Sequence, residues 1–223
     1  MKKYLSGTVA GAWLLVVFQT AQATPIDVSA ESPGVLWPSL PSATVLTFDD
    51  LPIGSLSAYQ FGAGTLSGSG VDEDTSVVDR YARPAGDPTR FLSVSYPSST
   101  GAVDLVFAKP QSYFGLYWGS MDSYNQITFL QNHNQIATYS GTDIASLTGL
   151  IANGDQQSAS SNRYIEFDLR AVFYDEVILS TTDYGFEVDN IAFGDPSSPI
   201  SEPGTLLVLG SSLYGLALVR RRR

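Results

Sequence analysis

Cysteine is absent from the 223 residues, which excludes a disulfide scaffold, a cysteine nucleophile and thiolate-held zinc or iron–sulfur centres. Histidine occurs once, as His133, too few for a histidine-rich metal cluster. Positive charge is scarce: 12 Lys and Arg stand against 22 Asp and Glu, a formal net charge of −10. A field of that sign repels a phosphate backbone, so nucleic acid is a poor partner. No Gly-x-Ser-x-Gly elbow, phosphate loop or His-Glu-x-x-His sequence occurs, and with them go the common signatures of acyl transfer, nucleotide binding and zinc proteolysis. What is present is 43% hydrophobic residues, enough for the core of one domain of ordinary size and too many for a wholly disordered chain.

Both ends read as addressing rather than fold. Lys2 and Lys3 precede an apolar run from Val9 to Phe18, and Ala21-Gln22-Ala23 supplies small residues at the −3 and −1 positions. That is the pattern of a cleavable secretory signal over residues 1–23; ten apolar residues fall far short of the roughly 20 a spanning helix needs. At the other end Ser201-Glu202-Pro203-Gly204 leads into an apolar stretch from Thr205 to Val219, closed by Arg220, Arg221, Arg222 and Arg223. As a helix the apolar stretch is about 22 Å long, so it spans a bilayer only with the arginines snorkelling to the cytoplasmic headgroups.

The order of motif, apolar segment and terminal arginines resembles the PEP-CTERM sorting signal, over residues 197–223. The resemblance implies an inner-membrane-tethered precursor in a Gram-negative bacterium, handled by signal peptidase and then by an exosortase-type enzyme. It further implies a destination at the cell surface or in the extracellular matrix. Ser201 stands where the family has its first proline. Between Thr24 and Ile200 stand six basic and 21 acidic residues, a net charge of −15 for the exported part.

Residues 24–43 are rich in Pro, Ser and Ala and read as a loosely ordered leader. From Thr44 to about residue 196, nine short segments carry strand-like patterns: 44–48, 91–96, 102–107, 113–118, 126–130, 135–139, 164–169, 172–180 and 185–193. Asn132-His133-Asn134 reads as a hairpin connection. Nine or so strands predict an all-β, antiparallel β-sandwich of jelly-roll type; an outer-membrane barrel fits less well, because the strands are short. One helix is expected, capped at Thr142 or Asp143, striped by Ile144, Leu147 and Ile151, and ended by Asn153-Gly154. Gly62–Gly70 reads as a mobile loop or irregular edge.

In the last strand Phe186 and Val188 share one phase and Ile191 and Phe193 the other, so the pattern slips at Asp189-Asn190, as at a β-bulge. Phe48-Asp49-Asp50 opens the domain, and first and last strands are often neighbours. These segments resemble the opening and closing patterns of exported PEP-CTERM ectodomains and of jelly-roll carbohydrate-binding modules. The resemblance implies a structural calcium held by Asp49, Asp50 and Asp189, with Asn190 as a weaker ligand; turn-capping by the same residues is the alternative. Asp72-Glu73-Asp74 lacks the Gly and Glu of a calcium loop and reads as solvated.

Alternation predicts Tyr113 and Tyr117 on one face of their strand, which with Tyr124 offers rings for stacking on exopolysaccharide; tyrosines merely covering a sheet are the alternative. Glu166 and Asp168 face one side of a strand as a glycosidase pair would, but Arg170 stands where a further acid is expected. Three readings follow, in order: a non-catalytic surface or matrix protein, a carbohydrate-binding module, and a glycan hydrolase.

Overall fold

A computed structural model describes residues 26–195, residue 171 excepted. The segments read as signal peptide and sorting tail lie outside the described residues. No helix among the described residues is long and apolar enough to cross a membrane.

Two antiparallel sheets face each other across one core. The first contains β1 (Asp27–Ala30), β2 (Thr44–Leu46), β3 (Gly54–Ser55), β6 (Gly70–Glu73), β7 (Phe91–Val94), β9 (Tyr113–Gly119), β12 (Arg163–Asp168) and β14 (Glu187–Gly194). Its order is β1-β12-β9-β14-β7-β6-β3, with β2 also paired to β14. The second contains β4 (Tyr59–Phe61), β5 (Gly64–Gly68), β8 (Gly101–Gln111), β10 (Asn125–Gln131), β11 (Asn134–Ser140) and β13 (Tyr174–Thr181), in the order β11-β10-β13-β8-β5-β4. The expected antiparallel sandwich is therefore present, and all nine expected strands lie within it.

Alternation explains the core. Phe114, Leu116 and Trp118 of β9 meet Val103, Leu105 and Phe107 of β8, and Ile127 and Phe129 of β10, in a single cluster between the sheets. Aromatic rings dominate it: Phe129 packs edge-on against Phe114, Phe167 and Tyr174 at centroid distances of 5.1–5.5 Å. Asn132 and His133 both take positive φ, 50° and 61°, and so form the two-residue turn that joins β10 to β11 without splaying them.

The bulge in β14 is present as well. Its register against β9 shifts between Asp189 and Ala192, and Asn190 takes φ 49°. The extra residue lets Phe186, Val188, Ile191 and Phe193 all enter the core, while Asp189 turns to the outer side. The expected adjacency of first and last strands also holds, since β2 pairs with β14 through Leu46 and Ile191.

Elsewhere the structure departs from expectation. The leader is ordered from residue 26: β1 pairs in register with β12, and the chain beyond it lies against the sheet. Gly62–Gly70 supplies β5 and the start of β6 rather than a loose loop; Gly64 and Gly68 sit so close to β8 that a Cβ would meet backbone oxygens at 2.1 and 2.4 Å. The helix α1 spans Gly141–Thr148, is capped two or three residues earlier than expected, by Ser140 with Asp143 completing a capping box, and stops at Gly149. Of its expected stripe only Ile144 is buried; Leu147 and Ile151 are 58% and 51% exposed.

Candidate functional site

The tyrosines expected to offer sugar platforms are mostly covered. Tyr113 and Tyr117 do point away from the core, as alternation predicts, yet they are only 4% and 2% exposed. The cause is two chain segments laid across the outer face of the first sheet. Leu36, Leu40 and Ala43 pack on Tyr113, Tyr117, Tyr164 and Ala192, and the long connection from β6 to β7 lies over the neighbouring strands. Each hydroxyl is then bonded: Tyr113 donates to Glu166 Oε1 on β12 at 2.8 Å, Tyr117 to the Ala85 carbonyl of the cover at 2.5 Å and Tyr164 to the Asn190 carbonyl of the bulge at 3.0 Å. Stacking on a glycan at Tyr113 and Tyr117 is thereby ruled out, because no ring face is free.

The same cover accounts for Glu166. Its carboxylate accepts from the Ser39 amide at 2.6 Å and the Ser39 hydroxyl at 2.8 Å, besides Tyr113. Asp168 lies outward, accepting from the Arg170 amide at 2.9 Å, with the Arg170 guanidinium 3.7 Å away. Both line one cleft of about 300 Å³ beside Ser39 and Leu40, but there Glu166 anchors the cover and Asp168 is engaged by Arg170, so neither stands as a free acid or base.

The proposed calcium ligands are not brought together. Asp49 and Asp50 are exposed, and Asp49 accepts from the Arg90 amide at 3.2 Å, just ahead of β7 and not within its own turn. Asp189 is fully buried under the β6–β7 connection. It accepts from Thr89 Oγ1 at 3.0 Å, while Asn190 donates through Nδ2 to Asp87 at 3.0 Å and Thr89 donates also to Asp87. Burial first, then the Asp87 charge beside it, pushes Asp189 up to about 8. No group of three His, Cys, Asp or Glu among the described residues is placed to hold a metal. Asp189 and Asn190 serve the cover instead.

The open polar site lies at one end of the sandwich. The β9–β10 turn, the β13–β14 turn, the chain after α1 and residues 79–82 converge there around a cleft of about 340 Å³. Its lining includes Arg80, Asp122, Tyr124, Asn153, Tyr184 and Glu187. Of the three predicted ring residues only Tyr124 reaches it, and its hydroxyl lies 2.9 Å from Asp122 Oδ2 and 2.5 Å from the Tyr184 carbonyl.

Tyr184 carries the Arg80 guanidinium 4.5 Å above its ring centroid, a cation–π contact that fixes the fork without consuming its N–H groups. No carboxylate among the described residues lies within ion-pair distance of Arg80. Gly154, at φ 69°, packs so closely that a Cβ would stand 2.6 Å from Asp122 Oδ1; only glycine lets this wall close on the carboxylate.

Beneath the cleft Glu187 is fully buried and accepts from the Ala82 amide at 3.1 Å and the Ser120 hydroxyl at 2.8 Å. Burial pushes it up to about 8. It ties residues 79–82 to the β9–β10 turn, a floor brace rather than a free acid. Burial likewise raises Asp122, against the opposing bond from Tyr124. The site thus offers a guanidinium fork, a tyrosine ring, carboxylate acceptors and amides in one polar concavity. Such a set hydrogen-bonds vicinal hydroxyls on an apolar backing. Sequence reasoning missed Arg80, Asp122 and Tyr184 because they sit in turns more than 40 residues apart, with no shared motif.

No family model matches this chain, and no curated protein matches it. Among solved structures, one described as "GH31 CBM32-2 bound to GalNAc" is similar at a TM-score of 0.32 and 8% identity, covering 58% of this chain and 98% of that one. So distant a likeness transfers no site, and the reading of the cleft stands on its own residues.

Proposed function

We propose that this protein is an exported, non-catalytic surface or matrix component of the PEP-CTERM type that binds a neutral saccharide of the exopolysaccharide in its end cleft. The observation that carries the binding part is the Arg80 fork, without an ion-pair partner among the described residues, held over Tyr184, opposite Asp122 and Tyr124 in a cleft of about 340 Å³. A neutral ligand fits best because the exported part carries 21 acidic residues against six basic ones, which repels uronate-rich polymers. Support for a binding rather than a hydrolytic role is the occupation of both glutamates: Glu166 by Ser39 and Tyr113, and Glu187 by Ala82 and Ser120.

The export part rests on the apolar signal, the Ser201-Glu202-Pro203 motif and the terminal arginines. Calorimetric titration with neutral oligosaccharides tests the binding part. Arg80→Ala and Tyr184→Ala each weaken binding about tenfold or more while leaving the melting temperature nearly unchanged. Absence of binding by every saccharide removes the cleft reading and leaves a scaffold without a discrete ligand. Mass spectrometry of the mature C-terminus tests export, and surface protein that still carries Arg220–Arg223 contradicts processing.

A further inference from the structure

Strand β6 presents an acid to the interior. Val71 packs outward with Tyr81 and Phe91, so Asp72, paired across from the core residue Leu92, points between the sheets. The acidic run expected to be solvated is thus buried at its first member: Asp72 is 1% exposed, and neither carboxylate oxygen has a hydrogen-bond partner among the described residues. An ionised carboxylate left so costs several kcal/mol unless something compensates it. Arg90 is the near positive charge, but its guanidinium donates to the Leu51 carbonyl and makes no ion pair with Asp72. Asp49, Glu73 and Asp74 add further negative charge around it.

Asp72 lines a cavity of about 70 Å³ under the turn from Leu51 to Tyr59, together with Ser55 and Ser57. That space exceeds what one water needs, and the hydroxyl-bearing residues Ser55, Ser57 and Tyr59 stand on its wall. Hard cations choose this mixture of one carboxylate with neutral oxygens and tolerate irregular geometry.

We infer that the cavity is a cation site, with Asp72 as its charged ligand and the oxygens of the Leu51–Tyr59 turn completing the shell around Ca²⁺. A single carboxylate places the affinity near the millimolar end of the calcium range. The ion supplies the compensation that Asp72 lacks, and it staples β6 to the turn that carries β3. In its absence burial pushes Asp72 up to about 7, so the site binds best above that pH.

The test is thermal melting of the protein at pH 8, with CaCl₂ from zero to 10 mM, and with NaCl or a chelator as controls. Calcium raises the melting temperature by about 2 °C or more in a saturating manner. Asp72→Asn abolishes the rise, and Asp189→Asn keeps it. Tyr59 lies on the cavity wall, so Tb³⁺ added to the unaltered protein gives tyrosine-sensitised emission that Ca²⁺ displaces, a readout that stands even if Asp72→Asn fails to fold. Melting curves indifferent to calcium, with no displaceable emission, overturn the site and leave a proton as the partner of Asp72. A calcium response kept in a folded Asp72→Asn variant also overturns it.

Discussion

The outer faces of the two sheets have opposite fates. On the first, the segment from Leu36 to Ala43 and the β6–β7 connection cover a row of tyrosines, Tyr113, Tyr117 and Tyr164, whose hydroxyls are satisfied by Glu166 of β12, by the cover and by the bulge in turn. On the second, Gln126 and Val106 face solvent, and Thr128 bonds Thr138 across β10 and β11. The core-facing sides of the two sheets are alike, so the difference is made by loops. It teaches that a tyrosine-rich strand face is a docking surface for the protein's own chain here, and that the loops at the sandwich end build an open polar cleft.

The sharpest way to break the comparison is truncation on each face. Tyr164→Ala, which empties a fully buried ring, costs about 3–5 kcal/mol in denaturant unfolding, whereas Gln126→Ala on the open face changes stability by no more than about 0.5 kcal/mol. Equal costs would mean that the cover does not pack. Glu166→Gln sharpens it next: weakening the acceptor of Ser39 and Tyr113 costs about 1–3 kcal/mol, and hydrogen exchange at Ser39 and its neighbours quickens while the core of β10 keeps its protection.

A smaller effect follows from pH. Asp189 is raised from 3.8 to about 8 by burial beneath the cover, so between those values the folded state holds a proton that the unfolded chain releases. Its contribution is complete below about pH 4 and falls as pH rises toward 8, by at most about 1.4 kcal/mol per unit. Unfolding free energies measured at pH 5 and pH 8 therefore differ less in Asp189→Asn than in the parent protein. The smallest effect on stability belongs to Tyr184→Ala, which leaves it within about 1 kcal/mol yet removes saccharide binding at the cleft.

What could be read from residues alone was whatever repeats at short range. Alternation in Val103/Leu105/Phe107 and in Ile127/Phe129 marked strands that do fill the core. The phase slip at Asp189-Asn190 marked a real bulge, and Asn132-His133 a real hairpin turn. Strands β1, β3, β4, β5 and β6 escaped because they are two to five residues long and rich in glycine or polar groups, too short to show a period. The site was less legible. Alternation gave the outward direction of Tyr113 and Tyr117, but direction is not exposure: only the fold reveals that Leu36 and Leu40 lie on top. Arg80, Asp122 and Tyr184 meet through loop closure over long sequence separations, which no local pattern encodes.

The central claim is that the open end cleft, and neither sheet face, is where this protein meets a ligand. Amide-resolved magnetic resonance during titration with neutral oligosaccharides tests it most directly. The account predicts shifts confined to Arg80, Asp122, Tyr124, Tyr184 and Gly185. Shifts spread over the open face of β10, β13 and β8, or no shift with any saccharide, would contradict it.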